Sequence, residues 1–362
     1  SAQEDPAADE LTTDEAVSLI EQVASFKRQP TMVFTGGDPL KRGDLFDLIR
    51  CAVSNGIPTA LTPSATPLAT FSAFENAKEA GVLALGISLD GSDAETHDSF
   101  RGFTGSFAKT MEMLHMARDL EFPVQINTSI TRRNFSQLDE IADLLEDRGI
   151  AMWSVFFLVP VGRGVEEERI SPPEYEQAFE RIWYHARTKP FGVKTTEAPH
   201  YRRYVLEHGG DPLAGPKVEM PSHELNRDFS NNSPEANGDD SNGEDGGKQS
   251  CSEPVYGRKQ VHRAPLGVTD GRGVMFVSHN GIIYPAGFLP VECGRFPEAS
   301  VVETYRSHPV FNALQNPDNY KGICGRCEYR FVCGGSRARA YAVSGDYLGP
   351  EPDCVYEPKG GE

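Results

Sequence analysis

The chain has 362 residues, 38% of them hydrophobic, which is enough for two domains of ordinary size. A formal charge of −18 argues against nucleic acid or an anionic membrane as partner, and no apolar run reaches the ~18 residues that a membrane span needs. Eleven Lys against 24 Arg within that acidic balance suit a protein soluble in strong brine, so a halophilic source is expected beside the plainer reading of an acidic cytoplasmic protein.

Residues 1–30 lead into a helix, with Thr12 and Glu15 as a capping box and Ala16, Leu19, Ile20 and Val23 as one apolar stripe. Short apolar runs then alternate with amphipathic stretches. The runs are 32–35, 59–62, 82–89, 124–130 and 153–159, and the helical patterns between them are 45–52, 70–80, 107–120 and 137–148. Buried strands alternating with helices mean a parallel sheet, and this density of units suits part of a β/α barrel. Active sites of such folds lie at the carboxyl ends of the strands.

Four segments fall there. Gly36–Gly37–Asp38–Pro39 follows the first run: two glycines allow close backbone approach, Asp38 offers a carboxylate to an ammonium group and Pro39 fixes the turn. Ser88 and Asp90 end the third run, placed by alternation on one side of the strand. Arg101, in His97–Asp98–Ser99–Phe100–Arg101, is a candidate fork for a carboxylate, and Asn127 points opposite to Val124, Ile126 and Thr128. The stretch 159–164 is an extended loop able to lay backbone amides against a flat ring.

Residues 166–206 read as a connecting helix, 173–187, and a polar set of Glu197, His200, Arg202 and Arg203, which suits an anionic substrate or a solvated loop. Residues 207–260 read as a disordered acidic insert in which Cys251 is a stray thiol. Beyond it, Asn280–Gly281 between apolar runs signals a hairpin, and a helix is expected over 302–314.

Cys324, Cys327 and Cys333 follow in a Cys-x2-Cys-x5-Cys run, with Cys354 able to return as a fourth ligand. Four thiolates suit zinc or an iron–sulfur cluster on softness alone, and three in one compact run lean towards the cluster. Seven cysteines with four near one end fit a reducing cytoplasm and metal binding better than disulfides. Arg337 and Arg339 come next, suited to tuning a cluster, gripping a carboxylate or packing a helix.

In this order the motifs resemble the radical S-adenosylmethionine (SAM) family with a C-terminal SPASM or twitch extension. The resemblance implies an α/β fold: a partial (β/α)6 TIM-type barrel over 1–165, without its first strand, and a small α+β iron–sulfur domain over 261–362. It implies S-adenosyl-L-methionine as cofactor, with Gly36, Gly37, Asp38 and Pro39 at its amino group and Ser88 and Arg101 at its carboxylate. Asp90 and Asn127 would be polar contacts near ribose and methionine, and Val159 would belong to the adenine edge. Cys324, Cys327, Cys333 and Cys354 would hold one auxiliary 4Fe-4S cluster.

The family's Cys-x3-Cys-x2-Cys loop, which binds the catalytic 4Fe-4S cluster, is missing from the chain, so truncation at the N-terminus and inactivity of the chain as given are expected. Ala286 stands where a Gly-x4-Cys motif from Gly281 would place a second set's cysteine. The runs 194–204 and 333–341 are similar to the branch that acts on tetrapyrroles, which implies oxidative removal of propionate carboxyls, or other side-chain modification, in haem b or d-type haem synthesis. Glu197, His200, Arg202, Arg337 and Arg339 would then meet the substrate, and a ferredoxin or flavodoxin would supply electrons. A peptide-maturing enzyme and a non-catalytic iron–sulfur electron carrier are the alternatives, and no general base stands out.

Overall fold

The computed structural model describes residues 9–161, 168–212 and 268–359. The expected acidic insert with Cys251, the end of the 159–164 loop and the boundary at 165/166 lie largely or wholly outside these residues.

The chain opens on α1 (Thr13–Ala24), and the capping box forms as expected, with Thr12 N donating to Glu15 Oε2 at 2.8 Å. Six parallel strands then run in sequence order: β1 (Met32–Phe34), β2 (Thr59–Leu61), β3 (Ala84–Ser88), β4 (Val124–Ile130), β5 (Met152–Phe157) and β6 (Gly192–Thr196). Helices α2 (Leu45–Ser54), α3 (Phe71–Glu79), α4 (Ala94–Arg101), α5 (Ser106–Asp119), α6 (Leu138–Glu146) and α7 (Pro172–Thr188) fill the crossovers, and α8 (Tyr201–Glu207) follows β6. Strands β1 and β6 do not pair, so the curled sheet stays open.

The sixth strand departs from the expectation of a connecting segment over 166–206. Gly-Val-Lys-Thr-Thr holds one large apolar residue, so no apolar run announced it, and as an edge strand it needs burial on one side only. Helix α4 was also unannounced, although Asp93 caps it through Thr96 N at 2.8 Å and Gly102 ends it in the left-handed region.

Burial along β4 alternates strictly, with Val124, Ile126, Thr128 and Ile130 buried under the helix layer. They join Ile87, Trp153, Phe157, Phe74, Ile141 and Phe179 in the main core. Trp153 Nε1 donates to Thr128 Oγ1 at 2.9 Å, and Thr128 Oγ1 donates to Leu89 O at 2.7 Å, so the polar atoms in this layer are satisfied.

The C-terminal unit contains a small antiparallel sheet of β7 (Phe276–Val277), β8 (Ile282–Tyr284) and β9 (Gly294–Arg295). The expected hairpin forms between β7 and β8, with Gly281 at φ 81° closing it. The expected 302–314 helix is two helices, α9 (Val301–Ser307) and α10 (Pro309–Gln315), because Pro309 has no N–H to continue α9 and turns His308 extended. Helices α11 (Gly322–Arg326) and α12 (Arg337–Ser344) flank the cysteine run. The unit is fused to the barrel through a second core, in which Ile20 and Val23 of α1 and Leu48 and Cys51 of α2 join Cys293, Phe296, Val302 and Phe311.

Candidate functional site

The inner face of the sheet carries small and polar side chains. By register Ala60 pairs with Ala84, Gly86 with Gln125, Ser88 with Asn127, and Ser154 with Lys194. A Cβ on Gly86 would lie 2.7 Å from Thr62 Oγ1 and 3.3 Å from Asn127 Nδ2, so only glycine lets these groups converge. Ser154 and Thr196 share a hydrogen bond of 3.0 Å, and Gln125 Nε2 donates to Asn127 Oδ1 at 2.7 Å. Such a face leaves space inside the curl of the sheet.

At the carboxyl end of β1, Gly36 takes φ 138° with nothing within 4 Å of a Cβ position, so its backbone borders open space. Asp38 caps the 3-10 turn Pro39–Lys41 through Leu40 N at 3.2 Å and accepts from Thr66 Oγ1 at 2.6 Å. Its carboxylate is therefore fixed in direction. Ser88, the last residue of β3, pairs in register with Asn127 in the middle of β4.

Asp90 behaves differently from the expectation of a cofactor contact. Its side chain is fully buried, pairs with the Arg101 guanidinium, and accepts from Ser129 N at 2.6 Å. Burial raises its pKa, and Arg101 opposes that rise. Asp90 thus orients Arg101, whose side chain remains 34% exposed and can still meet a carboxylate. His97, held neutral down to about 4 by burial and by Arg101, accepts from Asp90 N at 3.0 Å and braces the same turn. Val159 is buried with Ala286, Leu289, Leu314 and Ala338, so its side chain belongs to the joint between the units.

Cys324, Cys327, Cys333 and Cys354 are free and gather around α11. Burial pushes up the pKa of Cys327, Cys333 and, to about 12, Cys354, and each also feels Cys324. Glycines shape the loop: a Cβ on Gly325 would lie 2.1 Å from Tyr320 O, and Gly334 and Gly335 take φ 76° and 68°. Donors are aimed at the sulfurs. Glu351 N reaches Cys324 Sγ at 3.3 Å, Gly335 N reaches Cys333 Sγ at 3.4 Å, and Arg337 Nη2 reaches Cys324 Sγ at 3.7 Å.

Among the described residues no three His, Cys, Asp or Glu side chains sit closely enough to chelate one ion. Four sulfurs about 2.3 Å from one zinc would lie roughly 3.8 Å apart, whereas in a four-iron cluster each thiolate binds its own iron and stands farther from the others. Unbridged neighbouring thiols with amide and guanidinium donors fit such a cluster.

The residues expected at the substrate are mostly committed elsewhere. Arg339 is fully buried against Glu351 and Asp353 and donates to Glu197 O at 2.6 Å. Arg337, also fully buried, donates to Gly349 O at 2.6 Å and stacks over Tyr320. Arg202 donates to Val332 O at 3.1 Å and Val268 O at 2.7 Å, beside Cys333. Arg203 pairs with Glu176 and Glu207. His200 is buried between Tyr175 and Phe179 and is held neutral down to about 3.

Glu197 follows the last residue of β6. It sits in the left-handed region at φ 59°, accepts from Ser336 Oγ at 2.5 Å, and is held well above the usual carboxylate range by desolvation and by the charge of Asp270. Asp270, Glu351 and Asp353 were not singled out in the sequence, where Glu351–Pro352–Asp353 beside Cys354 was the available signal. Phe288 was also missed. The Ala286–Leu289 bridge presents Phe288 at the tip of a tight turn, 40% exposed, with its ring centroid 6.3 Å from that of Phe156 on the inner face of β5.

These features can be set against known proteins. The Radical SAM superfamily model matches residues 2–145. Streptococcus suis SuiB, in a crystal structure bound to S-adenosylmethionine, shares the fold at a TM-score of 0.64 and 13% identity, over 98% of this chain and 72% of that one. The AdoMet-dependent heme synthase of Methanosarcina barkeri is 36% identical over 97% of this chain and 89% of its own length. That of Nitratidesulfovibrio vulgaris is 34% identical over 98% and 86%. The chain belongs to the radical SAM superfamily. Within it, the chain is similar along nearly its whole length, at 34% to 36% identity, to AdoMet-dependent heme synthases of the tetrapyrrole branch.

Proposed function

We propose that the protein is a radical SAM enzyme of haem biosynthesis that oxidatively decarboxylates propionate side chains of a tetrapyrrole. The observation that carries this reading is the end-to-end similarity to proteins named heme synthases, at 36% identity across 97% of the chain. The structure supports it with an inner face lined by Gly86, Ser88, Asn127 and Ser154, and with Phe156 and Phe288, whose rings meet edge to face and add an apolar aromatic surface beside it.

In this reading Gly36, Gly37, Asp38 and Pro39 receive the amino group of SAM, Arg101 held by Asp90 receives its carboxylate, and Ser88 and Asn127 complete the cradle. Asp38 and Arg101 carry opposite charges, matching the two ends of the methionine moiety. Cys324, Cys327, Cys333 and Cys354 hold one 4Fe-4S cluster in a SPASM or twitch domain. A catalytic 4Fe-4S cluster, when bound, supplies the electron that cleaves SAM, and its Cys-x3-Cys-x2-Cys run is not among these 362 residues. A ferredoxin or flavodoxin as donor and a cytoplasmic setting accompany the proposal.

Titration of the anaerobic protein with iron coproporphyrin, followed by its absorption, tests the substrate class. Saturable binding that weakens at least several-fold in Phe288→Ala is expected. Binding of short peptides in preference to the porphyrin would favour the peptide-maturing alternative.

A further inference from the structure

Two guanidinium groups beside the four-thiol loop have no carboxylate partner within ion-pair distance among the described residues. Arg337 is fully buried, and its partners are the carbonyls of Gly335, Tyr347 and Gly349, the ring of Tyr320 and Cys324 Sγ. Arg202, on α8, is half-buried and bonded to the carbonyls of Val332 and Val268, next to Cys333. A third guanidinium, Arg203, lies near Cys354 and Cys327, but Glu176 and Glu207 match its charge. Buried charge is costly unless an opposite charge faces it.

We propose that Arg202 and Arg337 raise the reduction potential of the cluster on Cys324, Cys327, Cys333 and Cys354 and so adapt it to accept an electron. The inference rests on the reading that these cysteines hold a cluster. Reduction adds one negative charge to a group already negative through four thiolates, with no bond made or broken. Fixed cations nearby stabilise the reduced state more than the oxidised one, and hydrogen bonds to the sulfurs act in the same sense. The electron has a source in the proposed reaction. A carbon-centred propionate radical that loses its carboxylate as carbon dioxide leaves a vinyl group and one electron.

The cation from Arg202 comes from the barrel side, directly after β6 and Glu197. The loop's electrostatics therefore depend on the unit that holds the substrate space. Arg203 serves as an internal control, since it stands in the same place with its charge already neutralised.

The test is an anaerobic redox titration of reconstituted protein, read from the visible absorption and electron paramagnetic resonance of the cluster. Arg202→Gln and Arg337→Gln are expected to shift the midpoint to more negative potential, and Arg203→Gln to move it much less. Arg202→Lys, which keeps the charge, should stay near wild type. Unchanged midpoints in both Gln variants, an equal shift in Arg203→Gln, or a drop in Arg202→Lys as large as in Arg202→Gln would overturn the inference while leaving the cluster in place. If Arg337→Gln fails to retain iron, the Arg202 pair with the Arg203 control decides. A wild-type protein that takes up no iron or sulfide overturns the cluster reading, and this inference with it.

Discussion

Arg339 and Glu351 meet edge to edge, Nε to Oε1 at 2.8 Å and Nη2 to Oε2 at 3.0 Å, with neither side chain more than 1% exposed. The same guanidinium reaches Asp353 and the carbonyls of Leu158 and Glu197. One side chain thus ties the ends of β5 and β6 to the segment that delivers Cys354. Arg339→Ala would strand two buried carboxylates, at a cost of about 3–5 kcal/mol. Urea denaturation should show this loss, with reduced iron retention. Lysine should rescue it poorly, because it lacks the planar fork. A variant as stable as wild type would refute the joint.

The cofactor cradle is tested through Asp38 and Arg101. Asp38→Asn keeps an oxygen acceptor for Leu40 N and places an amide donor against Thr66 Oγ1, whose hydroxyl can accept, but it removes the charge facing an ammonium group. Arg101→Gln removes the opposite charge. Each should weaken SAM binding by about 1.5–3 kcal/mol in calorimetric titration of a chain that also carries the Cys-x3-Cys-x2-Cys loop. Equal affinities in wild type and both variants would place the cofactor elsewhere.

The cysteines divide into two groups. Substituting Cys324, Cys327, Cys333 or Cys354 by Ala should remove most of the roughly four irons of a 4Fe-4S cluster and its broad visible band. Cys51 and Cys293 sit in the second apolar core, 2% and 6% exposed, and their replacement by Ala should leave iron content unchanged. Stoichiometric zinc without a visible band would exclude the cluster.

Acid should weaken the fold through its buried histidines. His200 stays neutral down to about 3 because it is buried, whereas in the unfolded chain it takes a proton near 6.5. Between those values the unfolded state binds the extra proton, so stability falls as pH falls, by up to about 1.4 kcal/mol per pH unit. His97, held down to about 4, adds in the same sense. His200→Phe, between Tyr175 and Phe179, should flatten the dependence of the urea midpoint from about pH 7 to about pH 5. An unaltered slope would show that His200 does not carry it.

The parallel sheet was legible because β1 to β5 are apolar runs of strand length and their helices show clear periodicity. Ser88 and Asn127 were legible through alternation, and the cysteine set through its spacing. Strand β6 was not, since an edge strand of Lys and Thr lacks an apolar signal. Nor were the fates of Arg337, Arg339 and His200. Sequence shows the type of a charged side chain but not whether its partners come from residues 12 or 142 positions away, as Glu351 and Glu197 do for Arg339. Asp90 was misplaced for a related reason. It lies two residues beyond the end of β3, and alternation gives the side of a strand but not the partners, here Arg101 and Ser129 N, that bury a side chain.

The second core, built jointly by α1, α2 and the C-terminal unit, makes the protein a thermodynamic whole. Ile20 and Leu48 cannot lose their neighbours Phe296 and Phe311 without both units loosening together. Whatever binds the folded form at either end, a small molecule inside the sheet or a metal on the thiols, therefore draws on the same unfolding equilibrium. Occupancy of one end should raise the melting temperature recorded by a probe at the other, even with no contact between the two ligands.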